Sequence, residues 1–213
     1  SNAALLLREI LIDRLSLTML LLVSFLSAVT ARYSVNYLDG DPNQGHFFKW
    51  LAATSGCVLL LILSGNLLLF ALAWVGTSLS LHRLLTFYAE RPGALFAARK
   101  KFFISRLGDA CMGGAVYFAW KAFWSLNFKE LFEQAESMRS AGTSSPPLVY
   151  AVALLGAAAL LKSAQFPFHS WLPETMETPT PVSALMHAGI INAGGYLVVR
   201  LSPLFAGAPA VLD

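Results

Sequence analysis

Six apolar runs, each close to the length that a helix needs to cross a lipid bilayer, follow one another along this chain. They cover about residues 15–31, 48–64, 67–85, 102–124, 148–168 and 182–201. A transmembrane helix needs roughly 20 predominantly apolar residues. Charged residues make up 13% of the 213 residues and hydrophobic ones 56%, whereas soluble domains carry roughly 25% charged residues. The pattern predicts an all-α polytopic membrane protein with about six transmembrane helices.

Positive charge is concentrated between the third and fourth runs, and this predicts an orientation. The basic residues assigned to that loop are Arg83, Arg91, Arg99, Lys100 and Lys101. The connection between the fourth and fifth runs has no positive excess. The positive-inside rule therefore places the third-to-fourth loop in the cytoplasm and both ends of the chain outside. A short surface helix is expected at about residues 131–138.

The chain carries no motif for a bound cofactor. It has no Cys-x-x-Cys pair, no glycine-rich nucleotide loop and no His–Glu metal spacing, so we expect no cofactor, no metal and no catalytic site in this chain. A nucleic-acid partner is not expected either, since the formal net charge is only +3. Residues 1–3 resemble a tag remnant, and residues 4–213 are interpreted as a partial transmembrane domain.

Lys162 stands near the end of the fifth apolar run. Ionisable side chains are costly inside a bilayer, so one that persists there is a candidate for carrying protons or ions. A break in the helix is predicted just after it, at Pro167, Phe168 and His169, because proline removes a backbone donor. The alternative is that Lys162 extends to the cytoplasmic interface and keeps its charge in water.

His187 is the second relay candidate, since imidazole exchanges protons near neutral pH. At about 1.5 Å per residue, Lys162 lies ~21 Å from the outer end of its span and His187 roughly 8 Å from the cytoplasmic end of the sixth. In a hydrocarbon core of about 30 Å the two residues share a level. The alternative is that His187 only packs in its helix. His82 and His169 are nearer the water and are weaker candidates.

Two pairs of charged residues complete the set of candidates. Arg106 and Asp109 stand at positions i and i+3 of the fourth run and can form an ion pair on one helix face. A structural pair is favoured over a relay there. Glu174 and Glu177 lie in the predicted cytoplasmic connection, where they either gather protons at the entrance of a pathway or are ordinary solvated carboxylates.

The segment around Lys162 resembles a known signature. Residues 161–176 read LKSAQFPFHSWLPETM and residues 179–188 read PTPVSALMHA. Both resemble the antiporter-like membrane subunits of respiratory complex I and of the Mrp cation/proton antiporters, with weaker similarity at residues 13–16, 66–69 and 105–109. The resemblance implies helices three to eight of a fold with about fourteen, truncated at both ends. It also implies a broken helix around residues 162–168 and a water-linked proton path through Lys162 and His187.

One position departs from that family's pattern. The family has Trp-Glu-Gly where this chain has Trp74-Val75-Gly76, so a carboxylate that would stabilise a nearby ammonium is absent from this span. Residues 77–88 and 91–102 are most similar to the DabB branch, the membrane subunits of inorganic-carbon accumulation complexes. That resemblance implies a large DabA-like partner with a zinc site akin to that of carbonic anhydrase, since this chain has no ligands for the zinc.

The leading hypothesis is therefore a subunit of the bacterial inner membrane that couples a proton or Na⁺ gradient to uptake of carbon dioxide or bicarbonate. The first alternative is a proton-translocating subunit of an NADH–quinone oxidoreductase or an Mrp-type antiporter. The second is a degenerate structural subunit that has lost the pathway together with the glutamate.

Overall fold

The computed structural model describes residues 10–87, 92–174, 180–187 and 191–208, without the side chains of residues 92–95, 97 and 174. These residues are helical apart from turns and short connections. The helices are α1 (Arg14–Tyr37), α2 (Gln44–Leu63), α3 (Leu67–Leu85), α4 (Pro92–Phe123), α5 (Phe128–Ser140), α6 (Pro146–Lys162), α7 (Trp171–Glu174), α8 (Thr180–Leu185), α9 (Ala193–Arg200) and α10 (Ser202–Ala206). A short 3₁₀ helix, Phe168–Ser170, lies between α6 and α7.

The predicted spans correspond to helices, but the fourth, fifth and sixth differ from the prediction in their bounds or continuity. In the described part of the chain, α1, α2 and α3 are long and apolar enough to cross a membrane, and α6 is a shorter apolar helix. The fourth predicted span lies within α4, which has 32 residues and begins ten residues earlier than predicted. Arg99, Lys100 and Lys101 are therefore helical, and their assignment to a loop was wrong. The predicted surface helix is α5.

Side-chain caps explain where several helices begin. Asp13 accepts the Ser16 N–H at 2.8 Å, and its own N–H donates to Ser16 Oγ at 2.7 Å, which forms a capping box for α1. Asn66 caps α3 by accepting the Leu68 N–H at 2.8 Å. Asn127 caps α5 by accepting the Lys129 N–H at 3.1 Å. Each cap satisfies a backbone donor that the first turn of a helix leaves without a partner.

Backbone hydrogen bonds join several connections at one end of the helix bundle. The Leu11 N–H donates to Leu63 O at 2.9 Å, and the Leu67 N–H donates to Leu126 O at 2.8 Å. The start of α1, the α2–α3 turn and the α4–α5 connection therefore lie together. This is the alternation of helix directions that the sequence predicts.

A buried arginine ties α9 to the same end. Arg200, only 3% exposed, donates to Asp13 Oδ2 at 2.5 Å and to the Tyr196 hydroxyl at 2.7 Å. Burial raises the pKa of Asp13, but hydrogen bonds from the Ser16 backbone and from Arg200 outweigh that effect and hold it below its ordinary value. These bonds favour the ionised carboxylate of Asp13. Its ion pair with Arg200 links the start of α1 to the end of α9.

Small residues bring α4 and α6 close together, and these two helices share the most extensive contact in the structure. A Cβ atom at Gly114 would lie 3.0 Å from Leu154 Cδ1, and one at Gly108 would lie 3.5 Å from Leu161 Cβ. Small residues allow such close approach between membrane helices, where packing rather than water drives association. The contact fixes α6, and with it Lys162, against α4.

The break in the fifth span begins earlier than the sequence predicts. Helix α6 ends at Lys162, and Ala164 adopts a left-handed conformation with φ of 51°. The Gln165 N–H donates to Leu160 O at 3.2 Å, the pattern of a Schellman motif that satisfies the carbonyls at a helix end. The helix has therefore ended five residues before Pro167. The proline follows the break and prevents the helix from resuming there.

The sixth predicted span is not one continuous helix. Helix α8 ends at Leu185, Met186 and His187 continue in a wider π-helical turn, and α9 begins at Ala193. The Ile191 carbonyl accepts the Ser163 hydroxyl at 3.0 Å, so the turn before α9 is bound to the end of α6. Gly194 completes this contact, since a Cβ atom there would overlap Ser163 Oγ and the Ala159 carbonyl oxygen.

We predict that Gly194→Ala displaces α9 from α6 and destabilises the protein. The added methyl group meets a backbone oxygen that cannot rotate away, and overpacking of this kind costs about 1–3 kcal/mol. Gly195→Ala is the matched control, because a Cβ atom there has no neighbour within 4 Å. The measurement is the midpoint of thermal unfolding of the full-length protein in detergent. Equal midpoints for the two variants would contradict the assigned contact.

Candidate functional site

The ammonium group of Lys162 is buried between α6 and α3. Its Nζ donates to Ser78 Oγ at 2.6 Å, to Thr77 Oγ1 at 2.9 Å and to the Trp74 carbonyl oxygen at 3.1 Å. The same nitrogen lies 4.6 Å from the centroid of the Trp74 ring, a distance suited to a cation–π interaction. All three donor positions of an ammonium are thus used. We call Trp74, Thr77 and Ser78 the lysine cradle.

The position of the cradle excludes the interfacial alternative for Lys162. The residue is 7% exposed. Ser78 is the twelfth residue of α3, roughly 16 Å along a helix of roughly 28 Å at about 1.5 Å per residue. Side chains on a helix tilt toward its N-terminus, so Lys162 reaches back from the end of α6 toward the middle of the bundle. Its charge does not extend to the water.

Helix α3 forms the cradle because hydroxyl groups follow Trp74 at helical spacing. Thr77 and Ser78 stand at i+3 and i+4 and therefore share a face with Trp74. Their hydroxyls lie 2.8 Å and 3.3 Å from the Trp74 carbonyl oxygen, to which each can donate. Donation to that carbonyl leaves an oxygen lone pair on each hydroxyl for the lysine. The spacing of these hydroxyl residues was visible in the sequence. Because they carry no charge, sequence reasoning did not consider them as partners of the lysine.

The cradle supplies partners for Lys162 in the span that carries Val75. The sequence indicated no substitute for a carboxylate in that span, but the structure brings Thr77 and Ser78 to Lys162 as uncharged partners. The difference matters for proton transfer. A carboxylate favours only the charged ammonium, whereas a hydroxyl accepts a hydrogen bond from the ammonium and donates one to the neutral amine. The cradle therefore accommodates both protonation states of Lys162.

A carboxylate does act on Lys162, but from α4. Asp109 forms the predicted ion pair with Arg106, with side chains 10% and 32% exposed. The contact lacks the geometry of a hydrogen bond. Asp109 also interacts electrostatically with Lys162 and with Lys101. The pair also brings an opposite charge near the buried lysine, and the choice between a structural pair and a relay stays a prediction.

Lys101 is a buried residue that sequence reasoning missed. It is 3% exposed, and its Nζ donates to the Ser78 carbonyl oxygen at 3.3 Å. Its assignment to the loop between the third and fourth spans is wrong, because α4 begins at Pro92 and carries Lys101 into the bundle. The spacing of eight residues to Asp109, about two helical turns, puts both residues on one face of α4 and was the available signal.

The other predicted relay residues are not joined to Lys162 in the described part of the chain. His187 is exposed after α8, and its carbonyl accepts the Asn192 side-chain N–H at 3.2 Å. Pro167, Phe168 and His169 are exposed, and the His169 ring stacks on Phe166 at 5.9 Å. Their roles stay predictions.

The Glu174 side chain and all of Glu177 lie outside the described residues, so their proposed part in gathering protons stays a prediction. The described residues contain no group of three His, Cys, Asp or Glu side chains arranged to hold a metal ion.

Comparison with known proteins identifies the family. A family model described as "NADH:quinone oxidoreductase/Mrp antiporter, TM" matches residues 64–212, which include the whole cradle and Lys162. The chain belongs to this antiporter-like family. A second model, "NADH-Ubiquinone oxidoreductase (complex I), chain 5 N-terminus", matches residues 8–48.

Curated relatives and a solved structure agree with this assignment. The chain is 48% identical over 198 residues to "Probable inorganic carbon transporter subunit DabB2" of Halothiobacillus neapolitanus, covering 93% of this chain and 35% of that one. It is 37% identical over 199 residues to "NADH-quinone oxidoreductase subunit L" of Mycobacterium tuberculosis, covering 93% and 31%.

One solved structure that the chain matches is that of the Mrp complex from Dietzia sp. DQ12-45-1b. It has a TM-score of 0.80 and 29% sequence identity and covers 89% of this chain and 20% of that one. The chain spans about a third of the length of the curated relatives. It thus has the fold of part of a multi-pass antiporter-like membrane subunit.

We predict that Gly76→Ala disturbs the lysine cradle and that Cys57→Ala restores it. A Cβ atom at Gly76 would lie 2.9 Å from Cys57 Sγ on α2, so the variant pushes α3 away from α2 next to Trp74 and Thr77. We expect a loss of about 1–3 kcal/mol, typical of overpacking. The measurement is thermal unfolding of the single variants and the double variant. A double variant as unstable as Gly76→Ala would contradict the assigned packing.

Proposed function

We propose that this chain is part of an ion-translocating membrane subunit that couples a cation gradient to uptake of inorganic carbon. The observation that carries the proposal is the buried ammonium of Lys162, held by three acceptors that carry no formal charge. An ionisable side chain inside the membrane region marks a candidate ion or proton pathway. Lys162 serves as the group that takes up and releases the transported proton.

The neutral cradle supports this role. If Lys162 were only a structural cation, a carboxylate hydrogen-bonded to it would be the most stabilising partner. Instead its direct partners are two hydroxyls and a carbonyl, while the Asp109 carboxylate acts on it through space and is already paired with Arg106. The site therefore balances the two forms of the lysine rather than fixing one of them.

The carbon-uptake branch is favoured by two observations. The sequence identity to the curated DabB2 relative, 48%, exceeds the 37% identity to the oxidoreductase subunit. Val75 replaces the glutamate of the respiratory pattern. We further propose a large zinc-bearing partner subunit that performs the hydration chemistry, and a location in the bacterial inner membrane. Neither carbon hydration nor zinc binding is assigned to the residues of this chain.

The second candidate is a proton-translocating subunit of an NADH–quinone oxidoreductase or a cation/proton antiporter. It is favoured by the match to the Mrp complex structure, with a TM-score of 0.80. The lysine would act in the same way in both candidates. They differ in what drives or uses the ion movement: carbon uptake in the first, and electron transfer or cation exchange in the second.

We predict that the full-length protein, expressed with its large neighbouring subunit in a bacterium that lacks carbonic anhydrase, takes up labelled bicarbonate and restores growth in air. The uptake should collapse when an uncoupler removes the ion gradient. Lys162→Met should lower it by at least about 100-fold, as expected for loss of a group that transfers a proton. Lys121→Met is the matched control, since Lys121 is exposed near the other end of α4.

The outcomes separate the alternatives. The amount of each variant that assembles with the large subunit is measured in the same cells. Lys162→Met protein that assembles normally and transports at the unmutated rate would refute the relay role and favour a structural subunit. A wild-type complex that assembles but takes up no bicarbonate would favour the respiratory or antiporter candidate.

A further inference from the structure

A second buried lysine lies beside the first. We propose that Lys101 is a further proton-carrying residue, placed between Lys162 and the aqueous end of α3. The inference rests on the proposed function and adds the direction in which the proton leaves the lysine cradle. The observation that supports it is the position of Lys101 between Ser78 and His82, where α3 contacts α4.

Ser78 connects the two lysines. Its hydroxyl accepts a hydrogen bond from Lys162 Nζ at 2.6 Å, and its carbonyl oxygen accepts one from Lys101 Nζ at 3.3 Å. Both lysines are less than a tenth exposed. The two nitrogens therefore lie on either side of a single residue, and Lys101 interacts electrostatically with Lys162.

The charges around the pair do not balance two ammonium groups. Among the described residues, Lys101 and Lys162 face four further ionisable side chains: Arg106 and Asp109 from α4, Cys57 from α2, which interacts electrostatically with Lys162, and His82 from α3, which interacts with Lys101. Asp109 provides the carboxylate in this set and is already paired with Arg106. Two buried like charges without matching counter-charges are unfavourable. A proton gained by one lysine therefore favours release of a proton from the other.

This imbalance defines the transfer step. The Lys162 ammonium loses one proton and becomes a neutral amine, and the Lys101 amine gains one and becomes an ammonium. The proton passes through the Ser78 hydroxyl and water, and the charge of the pair is unchanged. The cradle continues to bind neutral Lys162, because Thr77 and Ser78 can then donate to its nitrogen.

His82 extends the route toward one end of the bundle. It lies one turn after Ser78 on α3, its ring hydrogen-bonds to the Ala98 backbone one turn before Lys101, and it interacts electrostatically with Lys101. Its Nδ1 is buried without a hydrogen-bond partner among the described residues. A neutral imidazole with a free nitrogen can accept a proton.

The route then reaches a polar cavity. The His82 carbonyl accepts the Thr86 hydroxyl at 3.0 Å. Thr86 lines a cavity of about 340 Å³ together with Asn43, His46, Arg83 and Phe87. This cavity lies where α2 begins and α3 ends, and it would connect His82 to water at that end of the bundle.

A purely structural role for Lys101 makes a different prediction. Its hydrogen bond to the Ser78 carbonyl ties α4 to α3, and arginine can make the same bond with the same charge. Arginine does not release its proton in proteins, whereas histidine does so near neutral pH. Lys101→Arg and Lys101→His therefore separate a fixed cation from a proton carrier, and Lys101→Met removes both functions.

The experiment measures proton movement by the complete complex in vesicles that contain a pH-sensitive dye. We expect Lys101→Met and Lys101→Arg to lower the rate by at least about 100-fold, Lys101→His to retain a measurable part of it, and the Lys121→Met control to leave it unchanged. Assembly with the large subunit is measured for each variant. If Lys101→Met fails to assemble, the arginine and histidine variants decide the question.

Lys101→Arg protein that moves protons at the wild-type rate would overturn the inference and assign Lys101 a structural role. The same holds if Lys162→Met abolishes proton movement while Lys101→Met does not, in which case the proposed function stands without this inference. A wild-type complex that moves no protons would overturn the proposed function and the role of Lys101 with it.

Discussion

The hydrogen bonds between Lys162 and three residues of α3 are the interaction on which the rest of the structure depends. A buried ammonium must find acceptors, because leaving it unpaired in an apolar interior costs far more than any single contact returns. Trp74, Thr77 and Ser78 supply those acceptors without adding a second charge. This choice of neutral partners allows the lysine to be both buried and exchangeable, the combination that a proton carrier requires.

Several features of the fold hold this interaction in place. Helix α6 ends at Lys162 through the turn at Ala164, so the lysine stands where the helical ladder stops. Close contact at Gly108 and Gly194 fixes that end of α6 between α4 and α9. Far from the site, Arg200 and Asp13 join α9 to the start of α1. The packing of small residues and the pairing of buried charges thus serve one purpose, to keep the end of α6 facing the middle of α3.

The sequence predicted the helical class, the alternating direction of the helices and the burial of Lys162, because these depend on hydropathy and on the rarity of charge inside a membrane. It did not predict the burial of Lys101. That residue stands at the edge of an apolar run, where the run length alone cannot distinguish a loop from a helix end. It also placed the helix break at Pro167 instead of Ser163, since a Schellman turn at alanine has no strong sequence signal.

The relay role proposed for Lys162 requires its protonation state to change while the protein works. The most direct test is nitrogen NMR of the complete complex in lipid bilayers with isotope-labelled lysine, with the Lys162 signal assigned by its loss in Lys162→Met protein. We predict that this signal reports both ammonium and neutral amine over the pH range in which the complex transports. A Lys162 signal that stays ammonium throughout that range, in a complex that transports normally, would contradict the account.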